Sequence, residues 1–207
     1  MNLRPILHSA AGLPVCCGLL LAAPLAVPAA EADTSTAEAN TEYSADAGAV
    51  TLEYQLKADF LFNFANFIQW PATNGAPTNL FRIAILDNGT VFPIMSQVLA
   101  TKTVNGRAVR IERLTRLSNA KNFEMLFVAQ SQEERIPALL KVISNAPVLT
   151  VGESADFVSS GGCINLICRE NSIRFEINLK AAESAGLKVS SKLATLAKAV
   201  KPPKEDK

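Results

Sequence analysis

Chemistry needs ionisable or nucleophilic side chains at workable spacing, and this chain is short of them. It has a single histidine, His8, and four cysteines, and nothing in it is laid out as a recognisable acid/base pair. His8 lies in the leading apolar segment, so the rest of the chain has none. That removes Ser-His-Asp and Cys-His nucleophile arrangements and every His-ligated metal site. Cys16 and Cys17 lie in the same leading segment, which leaves Cys163 and Cys168, in CINLIC. Read as one strand at roughly 3.3 Å per residue, that stretch sets their Cα atoms about 16 Å apart. A disulfide needs them within about 7 Å, and the odd spacing turns them to opposite faces. Cys163 and Cys168 are therefore expected to be unbridged to each other.

The remaining polar candidates read as structural. RFEIN places Arg174, Glu176 and Asn178 on one face of a strand, ordinarily the solvated one. Glu176 is expected to pair with Lys57, a cation set among apolar helix positions. The glycines of VGES (151–154) and SSGG (159–162) lack the spacing of a dinucleotide or phosphate loop. SSGG reads as a tight turn, because glycine supplies positive φ. Its residues Ser159, Ser160, Gly161 and Gly162 are a candidate partner-binding surface. No cofactor is implied, and the expectation is a protein that is not an enzyme.

The segment that must position Lys57 is EYQLKADFLFNFANFIQWP (53–71), which holds four of the ten phenylalanines and the only tryptophan. On a helical wheel Leu56, Phe60, Leu61, Phe64, Phe67 and Ile68 share a broad apolar face, and Asp59, Asn63, Asn66 and Gln69 share the other. Phe60 and Phe64 are expected in the core, and Trp70 and Pro71 at the helix end, since the residue before proline is pushed out of the α region. Phe62 falls on the polar face, where an apolar knob suits an interface.

Around this helix, short apolar strands are expected at 80–87, 123–130 and 146–153, with an alternating strand after the turn signal Asn105-Gly106. Helices are expected at VFPIMSQVLA and at SQEERIPALLKVI, the latter with Ser131 as N-cap and Glu134 in the capping-box position. SADF reads as a short helical turn. CINLIC and IRFEINL, joined by RENS, form a hairpin. Asn178 caps the helix that Gly186 stops, and Ser190 or Ser191 caps a last helix carrying Leu193, Leu196, Ala197 and Val200. The fold class is α/β: a single domain with a mostly parallel mixed sheet, helices on both faces and a C-terminal β-hairpin.

The flanks complete the organisation. Residues 1–30 have the layout of a signal peptide, with Arg4, an apolar run broken by prolines and small residues before a cleavage site near Ala29 or Ala30. Residues 31–49 read as a disordered linker, 50–200 as the domain, and 201–207 as a flexible tail. The 20 basic and 19 acidic residues, with Arg4 in the leader, leave no electrostatic footprint for nucleic acid. The expected location is periplasmic, not embedded in the membrane.

Four blocks in order, EYQLKADFLFNFANFIQWP, FRIAILD, LTVGESADFVSSGGCINL and IRFEINLKAAESAGLKVSSKLATLA, resemble the YfiR family over about 53–197. The resemblance implies a periplasmic regulator that dimerises as a compact α/β domain. It implies a partner too: the periplasmic sensor domain of an inner-membrane diguanylate cyclase, held inactive so that cyclic di-GMP and biofilm formation fall. Members often carry a cysteine just before the strand read here as FEMLFV. Phe123 stands there instead, so redox control through that thiol is not expected. The alternative is a periplasmic module binding an apolar or aromatic small molecule in a pocket lined by the aromatic helix.

Overall fold

The computed structural model describes residues 35–71, 79–169 and 172–198, with side chains from residue 47 onward. The expected signal peptide 1–30, its cleavage site, the tail 201–207 and the centre of the RENS turn lie outside these residues. Helix α1 (Ser35–Phe67) starts inside the stretch that reads as linker. Alanine and glutamate give that stretch little to bury, yet both are strong helix formers. The helix ends at Phe67, short of the expected Trp70. Ile68 and Gln69 form strand β1 (Ile68–Gln69), which pairs antiparallel with a late strand, Ile68 opposite Val189. Pro71 restricts only Trp70, and the helix ends earlier because Ile68 and Gln69 pair with β9.

The buried stripe of α1 is Lys57, Ala58, Leu61, Phe64 and Ala65, and Ile68 of β1 continues it. It is rotated from the expected face toward the two alanines, whose small side chains let the helix approach the sheet. Leu56, expected in the core, is 43% exposed, whereas Phe64 is 1% exposed. Phe60 and Phe67 flank the stripe, half-buried.

The chain continues through β2 (Leu80–Leu86), α2 (Val91–Leu99), β3 (Thr103–Val104), β4 (Arg107–Arg113), β5 (Met125–Val128), α3 (Ile136–Val142), β6 (Leu149–Gly152), β7 (Ile164–Arg169), β8 (Ser172–Ile177), α4 (Leu179–Ser184), β9 (Lys188–Val189) and α5 (Ser191–Lys198). The main sheet has the order β3-β4-β2-β5-β6-β7-β8. The five central strands are parallel, and β3 and β8 are antiparallel edges. In chain order the parallel strands run 2-1-3-4-5, a doubly wound arrangement that reverses direction between β2 and β5. The helices α1 and α2 cover one face over Phe81, Ile83, Ile85, Leu149 and Val151. The other face packs Ala84, Leu86, Leu126 and Val128 under α3. Burial on both sides is why β2 and β5 read as unbroken apolar runs.

Local signals settle the connections, with some differences from expectation. Asn105 and Gly106 have φ of 51° and 77° and close the β3–β4 hairpin. Asn178 caps α4 by accepting from the Ala181 N–H at 3.0 Å, and Gly186 follows at φ 72°. The helix expected from Ser131 begins later. Gln130–Arg135 is a 3-10 segment, and α3 starts at Ile136 without a side-chain cap. Pro137 sets that start, because it fits a first turn where its missing N–H costs nothing. SADF is a turn, not a helix, with the Phe157 N–H bonded to the Ser154 carbonyl at 3.2 Å. In α5, Leu193 is buried, but Leu196 is 58% exposed.

Cys163 is buried just before β7, Cys168 is exposed near its end, and both are free. Alkylation of the unreduced native protein should therefore label Cys168 readily and Cys163 only on unfolding. Intact mass showing an intramolecular bridge would contradict the strand placement.

Candidate functional site

In open α/β sheets, ligands bind in the crevice outside the carboxyl ends of the strands, where the strand order reverses. Here that crevice is reached by Asp87 after β2, Gln130 after β5 and Glu153 after β6. All three are engaged. The Glu153 carboxylate, 4% exposed, accepts from Lys57 Nζ at 2.5 Å, the Tyr54 hydroxyl at 3.1 Å and the Gln130 N–H at 2.8 Å. Lys57, itself 4% exposed, also pairs with Glu53 one turn earlier. Asp87 accepts from the N–H groups of Val91 and Phe92, each at 2.9 Å, so it satisfies the start of α2 from the end of β2. Its second oxygen lies 3.2 Å from Arg113 Nε, an ion pair by distance and not an aligned hydrogen bond.

This corrects the expected partner of Lys57. The lysine is buried and paired, but with Glu153, not Glu176. Helix α1 packs on the sheet face that Phe175 of β8 occupies, and Glu176, the next residue of that strand, points to the opposite face. Burial opposes the lysine's charge. The carboxylate of Glu153, its hydrogen bond and Glu53 outweigh that and raise the ammonium above its ordinary pKa. Tyr54 is raised too, first by burial and then by the charge of Glu153. A neutral phenol and a fixed ammonium are poor general bases at neutral pH. VGES shows a carboxylate at a strand's carboxyl end, but only the fold brings Glu153 beside Lys57.

The expected partner-binding residues lie apart. Phe62 is on the α1/α2 side, half-buried, with Lys102 Nζ 5.1 Å from its ring centre and Lys102 in turn 3.3 Å from Asp59. Ser159, Ser160 and Gly161 are exposed on the α3 side, where a Cβ on Gly161 would lie 3.8 Å from Leu140. Gly161 has φ 105°, as the turn requires, but Gly162 is buried against Phe157. Truncating Phe62→Ala should cost about 1 kcal/mol, against about 3 to 5 for Phe64→Ala, by thermal or denaturant melts.

Trp70 and Phe60 have structural contacts. Trp70 Nε1 donates to the Glu124 carbonyl at 3.1 Å, and its ring stands edge-on to Phe81 at 5.0 Å. Phe60 and Phe64 meet Phe175 at 6.1 and 5.1 Å. A cavity of about 230 Å³ lies elsewhere, lined by Leu140, Ile143, Val148, Thr150, Cys163 and Ala181 among others. It is on the α3 and α4 side, so it is not the pocket expected along the aromatic helix. Among the described residues, no His, Cys, Asp and Glu cluster could hold a metal, and no helix is long and apolar enough to cross a membrane.

The fold and these contacts define a doubly wound α/β domain whose crevice is filled by its own first helix. The chain belongs to the YfiR/HmsC-like family, whose sequence model matches residues 54–198. No curated protein matches. A conserved domain protein of Vibrio cholerae aligns with a TM-score of 0.45 at 12% identity, over 56% of this chain and 53% of that one. The ABC domain with L-Trp from Streptococcus pneumonia aligns at 0.44 and 10%, over the same shares. The chain thus spans about half the length of these two structures.

Proposed function

We propose that this chain is exported and binds the periplasmic sensor domain of an inner-membrane diguanylate cyclase. Binding holds the cyclase inactive and lowers cyclic di-GMP and biofilm formation. The observation that carries this reading is the family match, which covers the folded domain from α1 to α5. The engaged crevice supports a non-enzymatic role, since its carboxylates and lysine are spent on holding α1, β5 and β6 together.

The partner surface is proposed on one of two faces. One is centred on Phe62, the other on Ser159, Ser160, Gly161 and Gly162. The sheet separates them, so one compact partner covers one of them. The experiment is calorimetric titration of the mature protein with the isolated periplasmic domain of the cyclase. Phe62→Ala and Ser160→Arg are the two probes. Loss of about tenfold in affinity, roughly 1.4 kcal/mol, with one probe while the domain stays fully folded at the temperature of the titration identifies the face. No binding by the native protein would overturn the proposal.

A further inference from the structure

Strand β4 is covered by β3 only at its start. Val104 and Thr103 pair with Arg107 and Ala108, and the Val109 N–H donates to the Lys102 carbonyl at 3.1 Å. Beyond that point no other described strand meets the outer side of β4. The direction of its backbone groups can be read off. In a parallel pair one residue turns its N–H and C=O to the neighbouring strand and the next turns both away. The Ala108 N–H donates to the Asn79 carbonyl at 3.1 Å and the Leu114 N–H to that of Ile85 at 2.9 Å, both toward β2. Arg110 and Glu112, between them, face β2 in the same register. Ile111 and Arg113 therefore present their backbone groups outward, and no described residue bonds to them there. Such an edge is a template for a further strand.

The side chains beside this edge carry surplus positive charge. RIERLTR (110–116) has three arginines and one carboxylate. Glu112 is shared by Arg82 and Arg110, each at 3.2 Å, and Arg113 is met by Asp87. Arg116 is exposed and forms no ion pair with a described residue. The backbone is still extended there, with φ −123° and ψ 123°. Alternation puts Arg110 and Glu112 on one face and the half-buried Ile111 on the other. An added strand would set acidic side chains beside Arg110 and apolar ones beside Ile111. The edge is also continuous with Phe62. Lys102, whose carbonyl holds Val109, places its ammonium 5.1 Å from the centre of the Phe62 ring. We propose that the outer edge of β4 takes an extended segment of the protein this chain regulates, added as a strand that alternates acidic with apolar residues. This rests on the regulatory reading above and places the partner on the Phe62 side.

The test is amide hydrogen exchange of the mature chain, read residue by residue by NMR. The probes are a peptide of about nine residues alternating glutamate with valine, its lysine–valine counterpart, and the isolated periplasmic domain of the cyclase. The Ile111 and Arg113 amides should exchange fast in the free chain. The glutamate peptide and the periplasmic domain should each slow them about tenfold or more, and the lysine peptide should not. Arg110→Glu should reverse the preference between the two peptides at low salt. Ile111→Pro removes an outward N–H and leaves the bonds to β2 whole, so the Arg113 amide should then gain no protection from any probe. Circular dichroism melts would verify that both variants fold, and the Arg110→Glu reversal decides the matter if the proline variant does not. Amides already slow in the free chain would overturn the proposal. So would no protection by the glutamate peptide at millimolar concentration, or equal protection by both peptides, the arginines then serving only to keep the edge unpaired. A periplasmic domain that binds and leaves both amides fast would overturn it too. A domain that does not bind, beside a glutamate peptide that does, would overturn the cyclase reading and support the edge.

Discussion

Replacing Lys57 by alanine should destabilise the domain by about 3 to 5 kcal/mol, because it leaves the Glu153 carboxylate buried without its counter-charge. Glu153→Ala should cost about as much, since it orphans Lys57, the Tyr54 hydroxyl and the Gln130 N–H together. The pair Lys57→Met with Glu153→Leu should recover a large part of either loss. Apolar groups of similar size remove the desolvation penalty along with the attraction. Urea melts of the native chain, Lys57→Met, Glu153→Leu and the pair form the cycle. Additive single and double losses would mean that the two side chains do not act as a unit.

The same cluster sets an alkaline limit. Lys57 and Tyr54 both have their pKa raised on folding. A raised group contributes fully below its unfolded pKa, about 10.4 for lysine and about 10 for tyrosine. The contribution is lost as pH rises through the folded value. These two groups should therefore leave stability level from neutral pH to about 10, with a decline only above it. Tyr54→Phe should shrink the tyrosinate absorbance that appears during that decline. A steep loss between pH 7 and 9 that Lys57→Met abolishes would contradict the ion-pair geometry.

Truncating Phe157→Ala should cost about 3 to 5 kcal/mol. Its ring is fully buried and gripped by two glycine backbones. A Cβ on Gly152 would lie 2.3 Å from the ring, and one on Gly162 also 2.3 Å from it. The residue joins the end of β6 to the start of β7, so the turn at 159–162 is fixed from beneath. Gly152→Ala should be strongly destabilising in the native background, by about 1 to 3 kcal/mol or more. It should cost much less once Phe157 is alanine, because the three atoms nearest its Cβ all belong to that ring. Equal costs in both backgrounds would show that the ring does not fill the gap.

The parallel sheet was legible because burial on both faces forces unbroken apolar runs such as FRIAIL and MLFV. The turns were legible where one residue type has a conformational monopoly, as at Asn105-Gly106, Asn178 and Gly186. The two-residue strands β1, β3 and β9 carry no periodicity of their own and were missed. The wheel of α1 was misplaced because Ala58 and Ala65 look neutral in sequence, yet mark the closest approach to the sheet. Lys57 was recognised as anomalous, but its partner depends on which strand ends meet α1. That is long-range topology, and no spacing within the chain encodes it. For the same reason Gly162 reads as part of an exposed turn, whereas its lack of a Cβ serves Phe157.

The regulatory reading is tested most directly in the native host, by measuring intracellular cyclic di-GMP with and without this gene. Deletion should raise the level, and the exported chain should reverse the rise where one lacking residues 1–30 does not. An unchanged level, in cells where the proposed cyclase is present and competent, would contradict it.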